Sequence, residues 1–171
     1  MSLSEKKRPY FLISNPKIAT GSVFSQAVIC IYNHSPQGAF GFILNKKAPP
    51  CPSLLLYPFS SSEEDPLSGG PLARSSLFML YQKNNGSIYY TSNLKTIRNL
   101  LEKNTFPKNL LLKGISFWRP LQLDGEIKEN YWIPCCPSIN FFNVCRNNRY
   151  QHALTEMNLA PSRFYSICGT S

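Results

Sequence analysis

Few side chains in this sequence could move a proton or hold a ligand, and they lie far apart. His34 stands in a polar stretch between two apolar runs, Asn45 ends the second run, and Gln122 and Glu126 are four residues apart. That spacing puts the last two on one face of a helix, where Glu126 could equally pair with a lysine or arginine. A general acid or base needs a second group to set its proton, and no such pair can be placed along the sequence, so no catalytic residue is assigned. His34 in a turn and Asn45 at a strand end are expected to satisfy backbone groups.

Gly69-Gly70-Pro71 is a fixed point of another kind. Paired glycines let a second chain or a ligand approach the backbone closely, and the proline stiffens the exit. Neither a GxxxxGK[ST] nor a GxGxxG pattern surrounds them, so a structural turn is expected rather than a phosphate loop. The cysteines at 30, 51, 135, 136, 145 and 168 include no CxxC pair. Cys135 and Cys136 would point to opposite faces of a strand, and His34 and His152 are distant, so neither a metal site nor a cofactor is expected. A cysteine nucleophile paired with either histidine has no motif in its support. The opening segment is basic but its apolar part is too short for a secretory signal, which predicts reduced thiols and a cytoplasmic protein.

The elements that must position these residues centre on a hairpin. Residues 27–31 and 39–44 are apolar runs around the polar connector 33–38, and neither run alternates cleanly, so both faces of at least one strand should be covered. Residues 10–13 form a first strand, and residues 77–82 and 88–91 a second hairpin around Asn84-Asn85-Gly86. Ser92 or Asn93 caps a helix with Leu94, Ile97, Leu100 and Leu101 inward. Residues 110–112 lead through Gly114 into a strand at 115–118. Pro120 then opens a short helix with Leu123 and Ile127 on its inner side, 131–133 is a further strand, and Tyr150, Ala153, Leu154 and Met157 mark a terminal helix. Strands and helices do not alternate regularly, which predicts an α+β fold with a mixed sheet. Residues 1–9 read as a mobile basic end, 10–160 as one domain, 46–66 as a proline- and serine-rich surface excursion anchored by the apolar residues 53–57, and 161–171 as a tail.

The 171 residues, 43% hydrophobic and 16% charged, suit one globular domain rather than a disordered chain. No run approaches the ~20 apolar residues that span a bilayer. The net charge of +9 would draw in phosphate, but it is scattered as Lys6-Lys7-Arg8, Lys46-Lys47, Lys103, Lys108, Lys113, Arg146 and Arg149. Only weak, non-specific nucleic-acid binding is therefore expected.

In this order the pieces resemble the AlgH/YqgE family of bacterial proteins, a group largely without an assigned biochemical activity. Four stretches carry the resemblance: FLISNP at 11–16, HSPQGAFGFILN at 34–45, Gly69-Gly70-Pro71-Leu72, and WRPLQLDGE at 118–126. Asn130, Trp132 and Ala153-Leu154 fall where the family has them. The resemblance implies a mixed, barrel-like sheet flanked by helices, and a regulatory role suggested by the link to alginate synthesis. The chain departs from the family pattern at Ala19-Thr20-Gly21-Ser22, at Gln26, at Asn93 in place of an aspartate, at Asn45-Lys46-Lys47, and at Leu121 in place of a glycine. Its basic charge also departs from relatives that are often acidic or neutral.

Two functional classes follow. The first is a non-enzymatic regulatory or partner-binding domain, for which the family resemblance implies transcriptional regulation through an unknown protein partner. The second is a small-ligand-binding protein or enzyme using a groove near Asn45, Gly69-Gly70 and Gln122-Glu126. The motif residues that would border such a groove are His34, Gly38, Asn45, Gly69, Gly70, Pro71, Trp118, Gln122 and Glu126.

Overall fold

The computed structural model describes residues 8–49, 66–106, 108–136 and 138–159. Residues 1–7, most of the excursion at 50–65 with its apolar anchor, and the tail from 160 lie outside the described residues.

The central hairpin is β2 (Val28–Ser35) and β3 (Gly38–Ile43), joined by a two-residue turn once Ser35 pairs with Gly38. Its strands run further into the polar connector than the apolar pattern alone indicates. Both faces of β2 are covered: Val28 and Cys30 enter one core, Ile29 and Ile31 another. β1 (Tyr10–Ser14) pairs with β2, and β8 (Trp132–Pro134) pairs with β1. On the other side of β3 lies β7 (Asn109–Trp118), then β5 (Leu72–Gln82) and β6 (Ile88–Thr91). All these pairs are antiparallel. A short strand that sequence periodicity does not signal, β4 (Leu67–Ser68), adds a parallel pair, to β7, so the sheet is mixed.

β7 ties the two halves of the sheet together. Its first part pairs with β5 and its last three residues with β3. Between the two registers that β5 keeps on β7, and just before β3 takes over at Ser116, lies Gly114, whose φ of +80° is a left-handed bend that a side chain would resist. Into this fork runs Gly69-Gly70: Gly69 N–H donates to Lys113 O, and Gly69 O accepts from Ile43 N–H and from the Ser116 hydroxyl. A Cβ at Gly70 would meet the Ile115 carbonyl carbon at 2.3 Å. The glycine pair therefore admits the backbone of β7.

Three cores result. The largest lies between the sheet and the C-terminal segment, which comprises 3₁₀ turns at Phe141–Asn143 and Arg146–Asn148 and the helix α3 (Arg149–Glu156). α1 (Leu94–Glu102), capped by the Asn93 side chain, puts Ile97 against Leu77, Met79 and Leu111 on the opposite face. α2 (Gln122–Lys128) and residues 15–26 cover Ile29, Ile31 and Ile43 through Leu123, Ile18 and Phe24. α2 starts two residues later than Pro120, because Leu121 takes φ +61°, outside helical geometry.

The fold is thus a single α+β domain, but the barrel-like closure expected of it is not found. The hydrogen-bonded path ends at β6 on one side and β8 on the other. The C-terminal segment fills the gap instead: the Asn140 amide donates to Gln82 at the end of β5, and the Tyr150 hydroxyl donates to Ser14 O at the end of β1. Arg149, buried beneath, donates to the carbonyls of Phe141 and Leu44.

Candidate functional site

The motif residues gather in two places. The first is around α2. Glu126 accepts the indole N–H of Trp118 at 2.8 Å and of Trp132 at 2.7 Å on one oxygen, and the Gln122 amide at 2.8 Å on the other. Gln122 in turn accepts Arg119 N–H through its own oxygen at 3.0 Å. Trp118 and Trp132 are almost fully buried, so Glu126 satisfies two donors that have no access to water. Gly38 belongs here too, since a Cβ on it would meet Trp118 O at 2.6 Å.

His34 reaches the same helix. Its Nε2 lies 3.1 Å from Asp124 Oδ2 and its Nδ1 2.7 Å from the Tyr10 hydroxyl. A carboxylate only accepts, so the neutral ring carries its proton on Nε2 and Tyr10 donates to Nδ1. A bulge in β2 makes the contact possible. Strict alternation after Ile31 would send residue 34 to the opposite face, but the register shift between Ile31 and Asn33 sets His34 beside Ala39, on the side covered by α2. Burial, aided by the Asp124 charge, raises the Tyr10 pKa far above its usual value, so the phenol remains a proton donor. Tyr10 and Asp124 have no motif of their own in the sequence.

Asn45 is separate from this cluster. Its oxygen accepts Val28 N–H at 2.9 Å and its amide donates to Gln26 O at 2.7 Å, closing the open end of the central hairpin. The next residue, Lys46, turns into a cleft of about 500 Å³, which Gly70 and Pro71 also line. Lys113 enters from β7, one residue before the Gly114 bend, and Arg74 from the early part of β5. Lys46 Nζ donates to Ser25 O at 2.6 Å and Arg74 Nε to Pro71 O at 3.0 Å. Burial lowers the Lys46 pKa, the sign expected of an ammonium held away from water. No carboxylate lines the cleft among the described residues. Arg74 and Lys113 have no mark in the sequence beyond their charge, because the register of β4 and β5 on β7 is what brings them to Lys46.

Other chemistry has little footing. Among the described residues no cluster of three or more His, Cys, Asp or Glu side chains could hold a metal, and no helix is long and apolar enough to cross a membrane. Cys30, Cys135, Cys136 and Cys145 are unbridged thiols, while Cys51 and Cys168 lie outside the described residues. Burial pushes Cys135 up to about 12 and Cys30 higher still, which makes both poor nucleophiles near neutrality.

The AlgH-like family profile matches residues 11–162, nearly the whole chain. The chain belongs to the AlgH-like family. Similar proteins include a UPF0301 protein of Allorhizobium ampelinum, 26% identical over 94% of this chain and 90% of the relative. A UPF0301 protein of Neisseria meningitidis serogroup B is also 26% identical, over 94% of this chain and 96% of its own length. The solution structure of the AlgH protein from Pseudomonas aeruginosa superposes with a TM-score of 0.71 at 20% identity, covering 100% of this chain and 99% of that one. At that identity the likeness shows a shared fold. Within this AlgH-like fold, the α2 cluster spends its polar atoms on internal bonds, and the cleft gathers basic side chains with no carboxylate among its described lining residues.

Proposed function

We propose that this AlgH-like chain is a non-enzymatic binding domain whose cationic cleft receives the acidic groups of a partner or ligand. The observation that carries the proposal is the convergence of Lys46, Lys47, Arg74 and Lys113 on one cleft with no carboxylate among its described lining residues. Like charges held together repel, and a concave site with low-dielectric walls concentrates their field on whatever enters. A regulatory role of the kind the family resemblance implies would act through such a partner. The enzyme reading has less support, since Glu126 already accepts three hydrogen bonds inside the α2 cluster and both His34 nitrogens are held by Tyr10 and Asp124.

The test is thermal unfolding at low ionic strength with added polyanion, using tripolyphosphate and hexaglutamate as probes. Binding to the folded state alone stabilises by about 2.7 kcal/mol at a hundredfold excess over Kd, roughly 5–10 °C for a chain of this size. At least one probe should raise the unfolding temperature of the wild type, and the Arg74→Gln/Lys113→Gln variant should lose most of the rise. An equal rise in both proteins, or none in the wild type, contradicts the proposal.

A further inference from the structure

We infer that the ligand of the cleft is a compact polyanion carrying at least two phosphate groups, rather than an acidic polypeptide or a nucleic acid. The inference rests on the binding function proposed above and concerns which acidic group the cleft selects. Its volume of about 500 Å³ falls in the range of small-ligand sites. Of the four cations that line it, Lys47 is engaged in a contact of its own, and the other three reach the cleft from separate elements: Lys46 from the segment after β3, Arg74 from β5 and Lys113 from β7. Two are held in place by backbone carbonyls, Lys46 by Ser25 and Arg74 by Pro71, so less side-chain entropy remains to be lost when a ligand arrives. Each keeps donors to spare: an ammonium has three N–H groups and a guanidinium five, and one of each is used among the described residues.

Lysine ammonium and arginine fork together suit phosphate oxygens, the first as a point charge and the second as a bidentate donor. A phosphate monoester carries about −1.5 to −2 charge at neutral pH, so two such groups balance three cations within a small volume. Carboxylates along a peptide carry one charge each and are spread at about 3.3 Å per residue or more, which suits an extended groove better than a confined cleft. The walls also argue against a nucleic acid. They are built from Val23, Ala48 and Pro71 and contain no aromatic ring among the described residues, so no base has a stacking platform.

Calorimetric titration at low ionic strength tests the inference, with pyrophosphate as the probe, inorganic phosphate and hexaglutamate as comparisons, and thermal unfolding run on every variant. Pyrophosphate should bind one to one and about tenfold or more tighter than inorganic phosphate. Arg74→Gln and Lys113→Gln should each weaken it by about tenfold or more, as expected for loss of a charge-assisted contact, with the unfolding temperature retained. Lys95→Gln on the exposed side of α1 should bind as the wild type does. Pyrophosphate binding that is absent, or unchanged in both cleft variants, overturns the inference. If hexaglutamate binds and depends on Arg74 and Lys113 while pyrophosphate does not, the phosphate class falls and the binding function stands. If neither probe binds, both fall.

Discussion

Glu126 shows how a residue chosen for its chemistry can serve architecture. Its carboxylate is the acceptor for two buried indoles and for the exposed Gln122 amide, so removing it strands the two indole donors away from water. Each buried unsatisfied group costs about 1–3 kcal/mol, and Glu126→Ala should therefore lower the unfolding temperature by roughly 5 °C or more, read by circular dichroism. An unchanged unfolding temperature would show that the indoles are satisfied in another way and would return Glu126 to the list of functional groups. Trp118, Gln122 and Glu126 were legible together in the sequence because one local motif contains them. Tyr10 and Asp124 were not: what joins them to His34 is a bulge at residue 32 and contacts spanning 24 and 90 residues, and no periodicity in the sequence marks either.

Among the elements, long apolar runs were read well and irregular joints were not. The central hairpin, the second hairpin and all three helices follow from hydrophobic pattern and capping. β4 was missed because a two-residue strand has no period, and β5 starts at Leu72 rather than at residue 77 because residues 73–76 are exposed and bulged between two registers on β7. The start of α2 was misplaced for a related reason. Pro120 is a common first helical residue, but here the chain first turns through Leu121 at φ +61°, a position where the family resemblance led us to expect glycine. Left-handed geometry costs a β-carbon-bearing residue about 1–2 kcal/mol, and glycine returns part of that gain as unfolded-chain entropy. Leu121 is 67% exposed, so little packing would be lost. Leu121→Gly should accordingly unfold at the wild-type temperature or a few degrees above it. A fall of several degrees would mean that the leucine side chain contributes contacts outweighing its backbone strain.

Across the whole molecule, the α+β class and the covered central sheet were evident from the order of elements, whereas closure was not, since a sequence does not show whether end strands meet. The charge followed the same rule. Lysines and arginines that look scattered in one dimension include Arg74 and Lys113, which the pairing of β4 and β5 with β7 brings to the cleft that Lys46 and Lys47 also line. The central claim is that these cations are kept for binding rather than for the fold, and the most direct measurement is thermal unfolding of Arg74→Gln/Lys113→Gln beside the wild type, without ligand, at low ionic strength. Removing like charges from a cleft with no carboxylate among its described lining residues relieves repulsion, and residues retained for function are often held at some cost to stability. The double variant should therefore unfold at the same temperature as the wild type or a few degrees higher, and an unfolding temperature several degrees lower would make the cleft part of the scaffold and contradict the claim.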